Sequence, residues 1–451
     1  MSIERRFGAV TGASVVIANM IGVGVFTTTG YLLHDLGSPL VVLAGWLVGA
    51  VAALCGALCY AELGAALPEN GGEYRLLTRI LSPYVGFLAA WTSFVVGFSA
   101  PTAMMGLAFG SYLQTLVVPD AAPEALWIRK GAAVAVIATF AVLHSAHVGW
   151  GGRLHTLLTA LKVLLLVAFI GGGLTCMEPA RLTEGATAGD ALKLFSAPFA
   201  IGLYYIAFTY AGWNAAAYLA GEIRDPARNV PRALFAGTGL VCLIYLTFNL
   251  VLLCGAPAEA LSTSQDRVAL VAAKGLFGDR WGGIVAIVVA VGLVSTVSSQ
   301  LLAGPRVYES VGRDYPRLGW LSVRRSGGGP VYATLLQAGL AIALALSSGF
   351  DTLLTYVGFL LSLFAALTVS CVWLLRRNEP DLVRPYRVWA YPVPVVVVVC
   401  LEVWMLVQAI RSKPEIVIAG VVTLAIGSVV YLVVRGGRAN VAPNGSTAIQ
   451  S

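Results

Sequence analysis

Two interruptions of long apolar stretches are the first candidates for a binding site. One lies in IANMIGVGVFTTTG, at Gly22 and Gly24, and the other lies in IAFTYAGWNAAAYLAGEI, at residues 211–214. A helix broken at such a point has free N–H groups and a positive dipole end on one half, and free carbonyl groups on the other. Such N–H groups bind anions such as a carboxylate, and carbonyl oxygens accept hydrogen bonds from an ammonium group.

Lys162 is the second candidate, because it is an ionisable residue inside an apolar run. It lies in RLHTLLTALKVLLLVAF, nine residues after Arg153, or about 13 Å along a helix. An ionisable group at membrane depth is a functional hypothesis by default, although a long side chain can also snorkel to the interface. Lys162 could take up and release a proton, or stay charged and brace the first half of span 1, the stretch broken at Gly22 and Gly24.

Other chemistries lack the residues that they need. The seven cysteines have no paired spacing, and His34, His144, His147 and His155 are scattered. Catalytic carboxylate pairs, phosphate-binding glycine loops and metal-ligand spacings are missing, so we expect no enzyme, no metal and no cofactor. A channel would need rings of repeated polar residues rather than paired broken helices.

The composition indicates the elements that must position these groups. Of 451 residues, 58% are hydrophobic and 11% are charged, with a mean hydropathy of +0.83, which excludes an ordinary soluble enzyme and a disordered chain. A membrane-spanning helix needs about 20 apolar residues. Twelve apolar runs of this kind are predicted as spans 1 to 12, at about 9–34, 39–66, 83–117, 131–148, 155–175, 196–221, 232–254, 282–306, 331–348, 352–375, 390–410 and 415–434.

The distribution of basic residues predicts the orientation. With the N-terminus inside, 19 of the 29 Lys and Arg residues face the cytoplasm and 9 face outward, a bias that favours both termini in the cytoplasm. Lys162 is the remaining one. We read the N-terminal stretch as a retained first helix, in a multi-pass protein of the cytoplasmic (inner) membrane that has the lipid bilayer as its surroundings and no nucleic-acid partner.

The spacing of the two breaks predicts an inverted repeat. Five spans separate the breaks, so the second unit starts from the opposite side of the membrane, and paired breaks of this kind point to a transporter's binding site. Glycines in membrane helices can also serve close packing alone. The predicted fold is an all-α polytopic membrane protein with twelve transmembrane helices, a five-plus-five inverted repeat and broken helices 1 and 6. Its segments are a cytoplasmic N-terminus (1–8), two repeats (9–175 and 196–375), spans 11 and 12 (390–434) and a cytoplasmic tail (435–451).

Five motifs in order resemble one known superfamily. They are GVGVF, YAELGAALPENGGEY, FTYAGWN, GEIRDPARNVPRAL and NEPDLVRPYRVWAYP, and together they resemble the amino acid-polyamine-organocation (APC) superfamily, most closely bacterial members of the L-type amino acid transporter group. The resemblance covers residues 7–435. It implies the leucine-transporter-type fold and an amino acid as substrate.

The resemblance also implies a site at the breaks. The substrate carboxylate would lie at the start of the second half of span 1, and the ammonium group at the carbonyls of about residues 18–21 and of Ala207 and Phe208, with Phe208 as an outer gate or, alternatively, a packing residue. Trp213 and Asn214 would support the unwound segment. Val23 and Ala211 replace smaller residues that are frequent in the family, which favours a smaller cavity and substrate. The predicted substrate-binding residues are Ile21, Gly22, Val23, Gly24, Val25, Ala207, Phe208, Ala211 and Gly212.

Lys162 is similar to the span 5 lysine of APC transporters, which takes the place of a sodium ion in sodium-coupled relatives. This disfavours sodium coupling. Hydroxyl groups of residues 295–299 in span 8 could face spans 1 and 5, or bond back to their own helix.

The predicted function is secondary active transport of neutral L-amino acids by alternating access, coupled to protons or to exchange. A cationic amino acid or polyamine carrier would want a carboxylate near the breaks, and we expect none: Glu62 and Glu222 lie at helix ends, where Arg75, Arg224 or Arg228 would pair with them, and Glu402 lies in the peripheral span 11. A non-transporting amino acid sensor is the alternative of another class. Because residues 118–130 contain no cysteine, the resemblance implies no disulfide-linked heavy-chain partner.

Overall fold

The computed structural model describes residues 8–22, 24–69, 71–119, 122–146, 148–218, 220–324 and 329–437, without the side chains of 148–159, 266, 281–288, 351 and 437. In these residues the chain is a helical bundle, and seven of its helices are long and apolar enough to cross a membrane unaided. These seven are Pro39–Ala66, Pro83–Val117, Ala125–Ala146, Pro226–Leu253, Phe350–Asn378, Val393–Ser412 and Pro414–Val434.

The remaining five spans include the two broken ones. Span 1 consists of Ala9–Met20 (span 1a) and Gly24–Leu36 (span 1b), which are bent by 43° at the break. Span 6 consists of Ala197–Tyr210 (span 6a) and Ala215–Tyr218 (span 6b). Spans 5, 8 and 9 are Val148–Cys176, Asp279–Asp314 and Val331–Ser347. The predicted all-α fold with broken helices 1 and 6 is confirmed.

Two spans differ in detail from the sequence prediction. Span 8 continues as helix to Asp314, beyond the predicted end near residue 306. Span 3 contains a π-helical stretch, Ser93–Ser99, directly before Pro101. Proline has no N–H group to donate, so the helix widens in the turn before Pro101. Within this turn the Ser99 hydroxyl donates to the Phe94 carbonyl at 2.8 Å.

The broken spans lie next to each other in the bundle. Span 1a packs against spans 7 and 6b, and span 6a packs against span 1b and against spans 2, 10 and 11. The approach is close because of two glycines. A Cβ atom on Gly24 would lie 2.3 Å from Thr209 Oγ1, and Gly212 has φ +101° with Asn19 backbone atoms within about 3 Å of where its Cβ would be. The sequence therefore places glycine where the two breaks meet.

Ion pairs stabilise the side of the bundle at which span 1 begins and span 12 ends. We call this side the terminal side. Twelve spans, an even number, return the chain to this side. Glu62 is 1% exposed and accepts hydrogen bonds from Arg376 at 2.8 and 2.6 Å and from the Val388 N–H at 2.7 Å. The predicted pairing of Glu62 with Arg75, Arg224 or Arg228 is wrong, because Glu62 pairs with Arg376 and Arg384, and Arg75 binds Asp314 at 3.1 Å. Residues more than 300 positions apart form the Glu62 pair, and local sequence carries no signal for it.

We expect Glu62→Ala to lower the apparent melting temperature of the purified protein strongly. Removing one partner of a buried ion pair costs about 3–5 kcal/mol, because the remaining charge stays buried. Here two guanidinium groups, those of Arg376 and Arg384, would lose their carboxylate. Glu415→Gln, at an exposed carboxyl group on span 12, is the control. An equal melting temperature for Glu62→Ala and the control would contradict the assigned role of this pair.

Candidate functional site

A cavity of about 640 Å³ lies between the two breaks. Its wall includes Gly22 and Gly24 of span 1, Ala207 to Ala215 of span 6, and parts of spans 3, 8, 10 and 11. It continues to Glu222, Arg306 and Ser310 at the terminal side. On the opposite side, Trp46 Nε1 donates to Thr29 Oγ1 at 3.0 Å, and the Thr29 hydroxyl donates to Asn249 Oδ1. The cavity therefore extends to the terminal side, and buried hydrogen bonds join spans 1, 2 and 7 on the other side of it.

The break in span 1 follows Met20. The Ile21 N–H still bonds to the Ile17 carbonyl at 3.0 Å, whereas the Gly22 N–H turns to the Met20 carbonyl at 2.7 Å. Val23 lies outside the described residues, and helix resumes at Gly24. Val25 is buried. The first N–H groups of span 1b have no intrahelical acceptor, as at any helix start, and the cavity wall at Gly24 brings them to the space between the breaks.

Two side chains from other spans hold the carbonyl end of span 1a. Tyr245 of span 7 donates its hydroxyl to the Met20 carbonyl at 2.5 Å, and Lys162 of span 5 donates from Nζ to the Ile21 carbonyl. The Met20 oxygen also accepts the Gly22 N–H, so both of its acceptor positions are used, whereas the Ile21 oxygen has a second position. An ammonium group can therefore share the Ile21 oxygen.

Lys162 does not snorkel to an interface. Its side chain is 5% exposed, and its aliphatic part passes over Gly292 of span 8, where a Cβ atom would lie 3.6 Å from Lys162 Cγ. The ammonium group thus reaches from span 5 across to the break of span 1. In this position the buried ammonium group of Lys162 can stabilise the unwound backbone at the break.

The break in span 6 is a turn of four residues. The Ala211 N–H bonds to the Phe208 carbonyl at 3.1 Å, and the positive φ of Gly212 reverses the chain before helix resumes at Ala215. Trp213 packs edge-on against Tyr60 of span 2, with ring centroids 4.7 Å apart. Ala207 and Phe208 line the cavity, and Phe208 is buried there rather than facing lipid.

A carboxylate lies beside this break, so the expectation that none is near the breaks is wrong. Glu73 Oε1 accepts a hydrogen bond from Asn214 Nδ2 at 3.1 Å and another from the Tyr60 hydroxyl at 2.5 Å. Glu73 belongs to the short helix Gly72–Ile80 that joins spans 2 and 3. Burial raises the pKa of its carboxyl group, although both hydrogen bonds partly offset this shift.

The signal for Glu73 is present in the sequence. In the motif YAELGAALPENGGEY, Gly71 and Gly72 have φ of +121° and +51°, and a Cβ atom on Gly72 would lie 2.4 Å from the Tyr218 ring. The two glycines turn the chain under span 6b and bring the next residue, Glu73, to the break. The sequence prediction assigned Glu73 no role.

One hydroxyl group of span 8 takes an expected role, and another takes a role that was not expected. Thr296 bonds back to the Gly292 carbonyl at 3.0 Å. Ser298 instead bonds to Nε2 of His144 in span 4 at 2.9 Å, and His144 is buried. This histidine, to which the sequence prediction gave no role, joins the first half of the chain to the second.

Comparison with known proteins gives one consistent result. A sequence model of the amino acid permease family matches residues 7–432. Large neutral amino acids transporter small subunit 2 of Mus musculus is 28% identical over 448 residues, covering 96% of this chain and 81% of the relative. Asc-type amino acid transporter 1 of Mus musculus is also 28% identical, over 439 residues and with the same coverage of both chains. The b(0,+)-type amino acid transporter 1 of Mus musculus is 25% identical over 416 residues, covering 92% of this chain and 84% of the relative.

The match of the family over nearly the whole chain agrees with the twelve spans and with the cavity between two broken helices. The chain belongs to the amino acid permease family of the APC superfamily, whose members are multi-pass membrane transporters of amino acids.

Proposed function

We propose that this protein carries neutral L-amino acids across the cytoplasmic membrane by alternating access, with both termini in the cytoplasm. The cavity between the breaks supports a zwitterionic substrate, because residues of both breaks line the same space and a broken helix offers N–H groups on one half and carbonyl oxygens on the other. The name of one relative, a large neutral amino acids transporter, supports an amino acid with an uncharged side chain. The excess of basic residues on the terminal side supports the orientation.

The substrate carboxylate binds at the start of span 1b in this proposal. Gly22 and Gly24 leave room for it, and the N–H groups around Val23 to Val25 carry the positive end of the helix dipole. The ammonium group binds the carbonyls of Ile21, Ala207 and Phe208. Ala211 and Gly212 shape the turn below it, and Trp213 and Asn214 hold that turn through Tyr60 and Glu73.

The hydrogen bond from Lys162 to the Ile21 carbonyl is the observation that carries the coupling part of the proposal. It connects a buried charge in span 5 to the backbone that would bind substrate. A change in this hydrogen bond changes the geometry of the break. Access to the cavity is therefore linked to whether the Lys162 ammonium group makes this bond. The linked partner is a proton in symport or a second amino acid in exchange.

A cationic substrate is less well served by this cavity. Of the acidic residues in the cavity wall, Glu73, Glu222 and Glu402, Glu73 lies beside the break, and its Oε1 already accepts hydrogen bonds from Tyr60 and Asn214. Most of the wall consists of uncharged groups such as Gly97, Phe98 and Ala365. This arrangement supports small to medium uncharged side chains.

The proposal includes function without a disulfide-linked partner. Residues 118–130, between spans 3 and 4, contain no cysteine. We expect the purified chain to migrate identically on denaturing gels with and without reductant, when it is isolated from its native membrane. A higher band that disappears on reduction would contradict this part of the proposal.

Competition binding tests zwitterion recognition. Labelled leucine bound to the purified protein should be displaced by leucine, alanine and serine. Isopentylamine, which lacks the carboxylate, and 4-methylpentanoate, which lacks the ammonium group, should both fail. Displacement by either analogue at the concentrations at which leucine competes would contradict the two-ended site.

A further inference from the structure

Glu402 is a buried carboxyl group that the substrate path described above does not use. It lies in span 11, on the face that packs against spans 2, 6 and 10, and it is 6% exposed. The side of this span turned away from Glu402 carries Val393, Cys400 and Val407, all of which are exposed, as lipid-facing residues are. The carboxyl group therefore points into the protein, contrary to what its peripheral span suggests.

The carboxyl group reaches the central cavity. Glu402 lines its wall together with Leu203 and Phe208 of span 6 and Ser362 and Ala365 of span 10. Water that enters the cavity from the terminal side thus has a route to this group. A buried acid in contact with such a cavity can exchange a proton with either side of the membrane as access alternates.

The comparison with the other buried carboxyl groups sets Glu402 apart. The described residues contain four buried acidic side chains, and three of them are satisfied. Glu402 Oε1, in contrast, is buried with no hydrogen-bond partner among the described residues. The three satisfied groups are Glu62 with Arg376 and Arg384, Glu309 with Arg313 and Arg324, and Glu73 with Tyr60 and Asn214.

The neighbours of Glu402 supply no compensating cation. Ser362 of span 10 offers it a hydroxyl group. Tyr204 of span 6 lies close enough to interact with it electrostatically, and the Tyr204 hydroxyl is likewise buried without a hydrogen-bond partner among the described residues. Charged and titratable groups elsewhere on the packed helices are engaged or distant: Glu62 of span 2 binds Arg376 of span 10, Tyr356 of span 10 bonds to Thr423 of span 12, and Glu415 is exposed at the start of span 12.

An ionised carboxylate without a cation is costly at membrane depth, by several kcal/mol. The protonated form avoids this cost and can donate a hydrogen bond. We propose that Glu402 is a proton-binding site, separate from Lys162, which takes a proton from the cavity water onto its carboxylate and returns it by the same route. The inference rests on the proposed function only in that the cavity is the substrate path.

Infrared difference spectroscopy of the purified protein in lipid nanodiscs tests proton binding without transport. Wild type should show a carboxylic acid C=O band that loses intensity as the pH is raised. Glu402→Gln should lack this band, and Glu415→Gln, which removes an exposed carboxyl group on the neighbouring helix, should retain it. The same band with the same titration in Glu402→Gln would overturn the proposal.

Uptake assays give the functional readout. Glu402→Gln mimics the protonated form. Uptake of a neutral amino acid by wild type and by Glu415→Gln should therefore contain a pH-dependent component that uptake by Glu402→Gln lacks. Loss of lysine uptake with an unchanged infrared band would make Glu402 a site for cationic side chains and would overturn proton binding. If Glu402→Gln does not fold, Glu402→Asp should displace the band, and an undisplaced band would overturn the assignment. An inactive wild type with a titrating Glu402 band would contradict the proposed function alone.

Discussion

Lys162→Ala should reduce amino acid uptake by about 10- to 100-fold, the effect expected from losing a charge-assisted hydrogen bond of about 1.5–3 kcal/mol. The variant removes the donor to the Ile21 carbonyl and leaves an empty space beside Gly292. Without the ammonium group, the carbonyl end of span 1a keeps only the Tyr245 contact at Met20. The backbone at the break should then lose the geometry that substrate binding and gating require. The measurement is the initial rate of uptake into proteoliposomes as a function of pH.

Lys130 provides a matched control for this experiment. Its Nζ also donates to a backbone carbonyl, that of Leu346, at 2.6 Å, but at an exposed end of span 4. Lys130→Ala should leave uptake and its pH profile close to wild type. If Lys162→Ala transports at the wild-type rate with the wild-type pH profile, Lys162 has no part in coupling.

Gly24→Ala should nearly abolish uptake, because the added methyl group has no space. Its Cβ would lie 2.3 Å from Thr209 Oγ1 and 2.9 Å from Thr209 Cβ and Cγ2. Overpacking of this kind costs about 1–3 kcal/mol, and here it separates the two broken spans at the point where the carboxylate is proposed to bind. The measurement combines uptake with the apparent affinity for leucine in a binding assay.

Two further variants separate the local contact from a general effect of adding a methyl group. Gly339→Ala, in span 9, has no atom within 4 Å of the new Cβ and should behave like wild type. Thr209→Ala in the Gly24→Ala background removes Oγ1 and Cγ2 and should restore part of the uptake. Equal uptake by Gly24→Ala and Gly339→Ala would contradict the close approach of spans 1 and 6 as a requirement for function.

The helices and the breaks could be predicted from the sequence, because both depend on local information. Apolar runs of about 20 residues identify spans, and glycines at Gly24 and Gly212 mark backbone that a side chain would obstruct. Lys162 was also identifiable, since a lone charge in a leucine-rich segment is conspicuous. What it contacts, the Ile21 carbonyl 141 residues earlier, depends on the packing of span 5 against the break, and neither the residues nor the resemblance identified it.

The roles of the acidic residues could not be predicted in the same way. Glu62 finds Arg376 only because spans 2 and 10 pack together, and Glu73 reaches the break through two left-handed glycines whose conformation the letters GG do not specify. Glu402 was placed in a peripheral span, and the sequence alone does not say which face of that span meets the cavity. Long-range packing decides each of these positions.

The most direct test of the central claim is uptake of labelled alanine, serine and leucine into proteoliposomes that contain the purified protein. It is run with and without a pH gradient, and with and without internal amino acid. We predict uptake above that of protein-free liposomes for at least one of these substrates; acceleration by an acidic exterior would identify proton symport, and a requirement for internal amino acid would identify exchange. No substrate-dependent uptake under any of these conditions would contradict the assignment of this chain as a carrier.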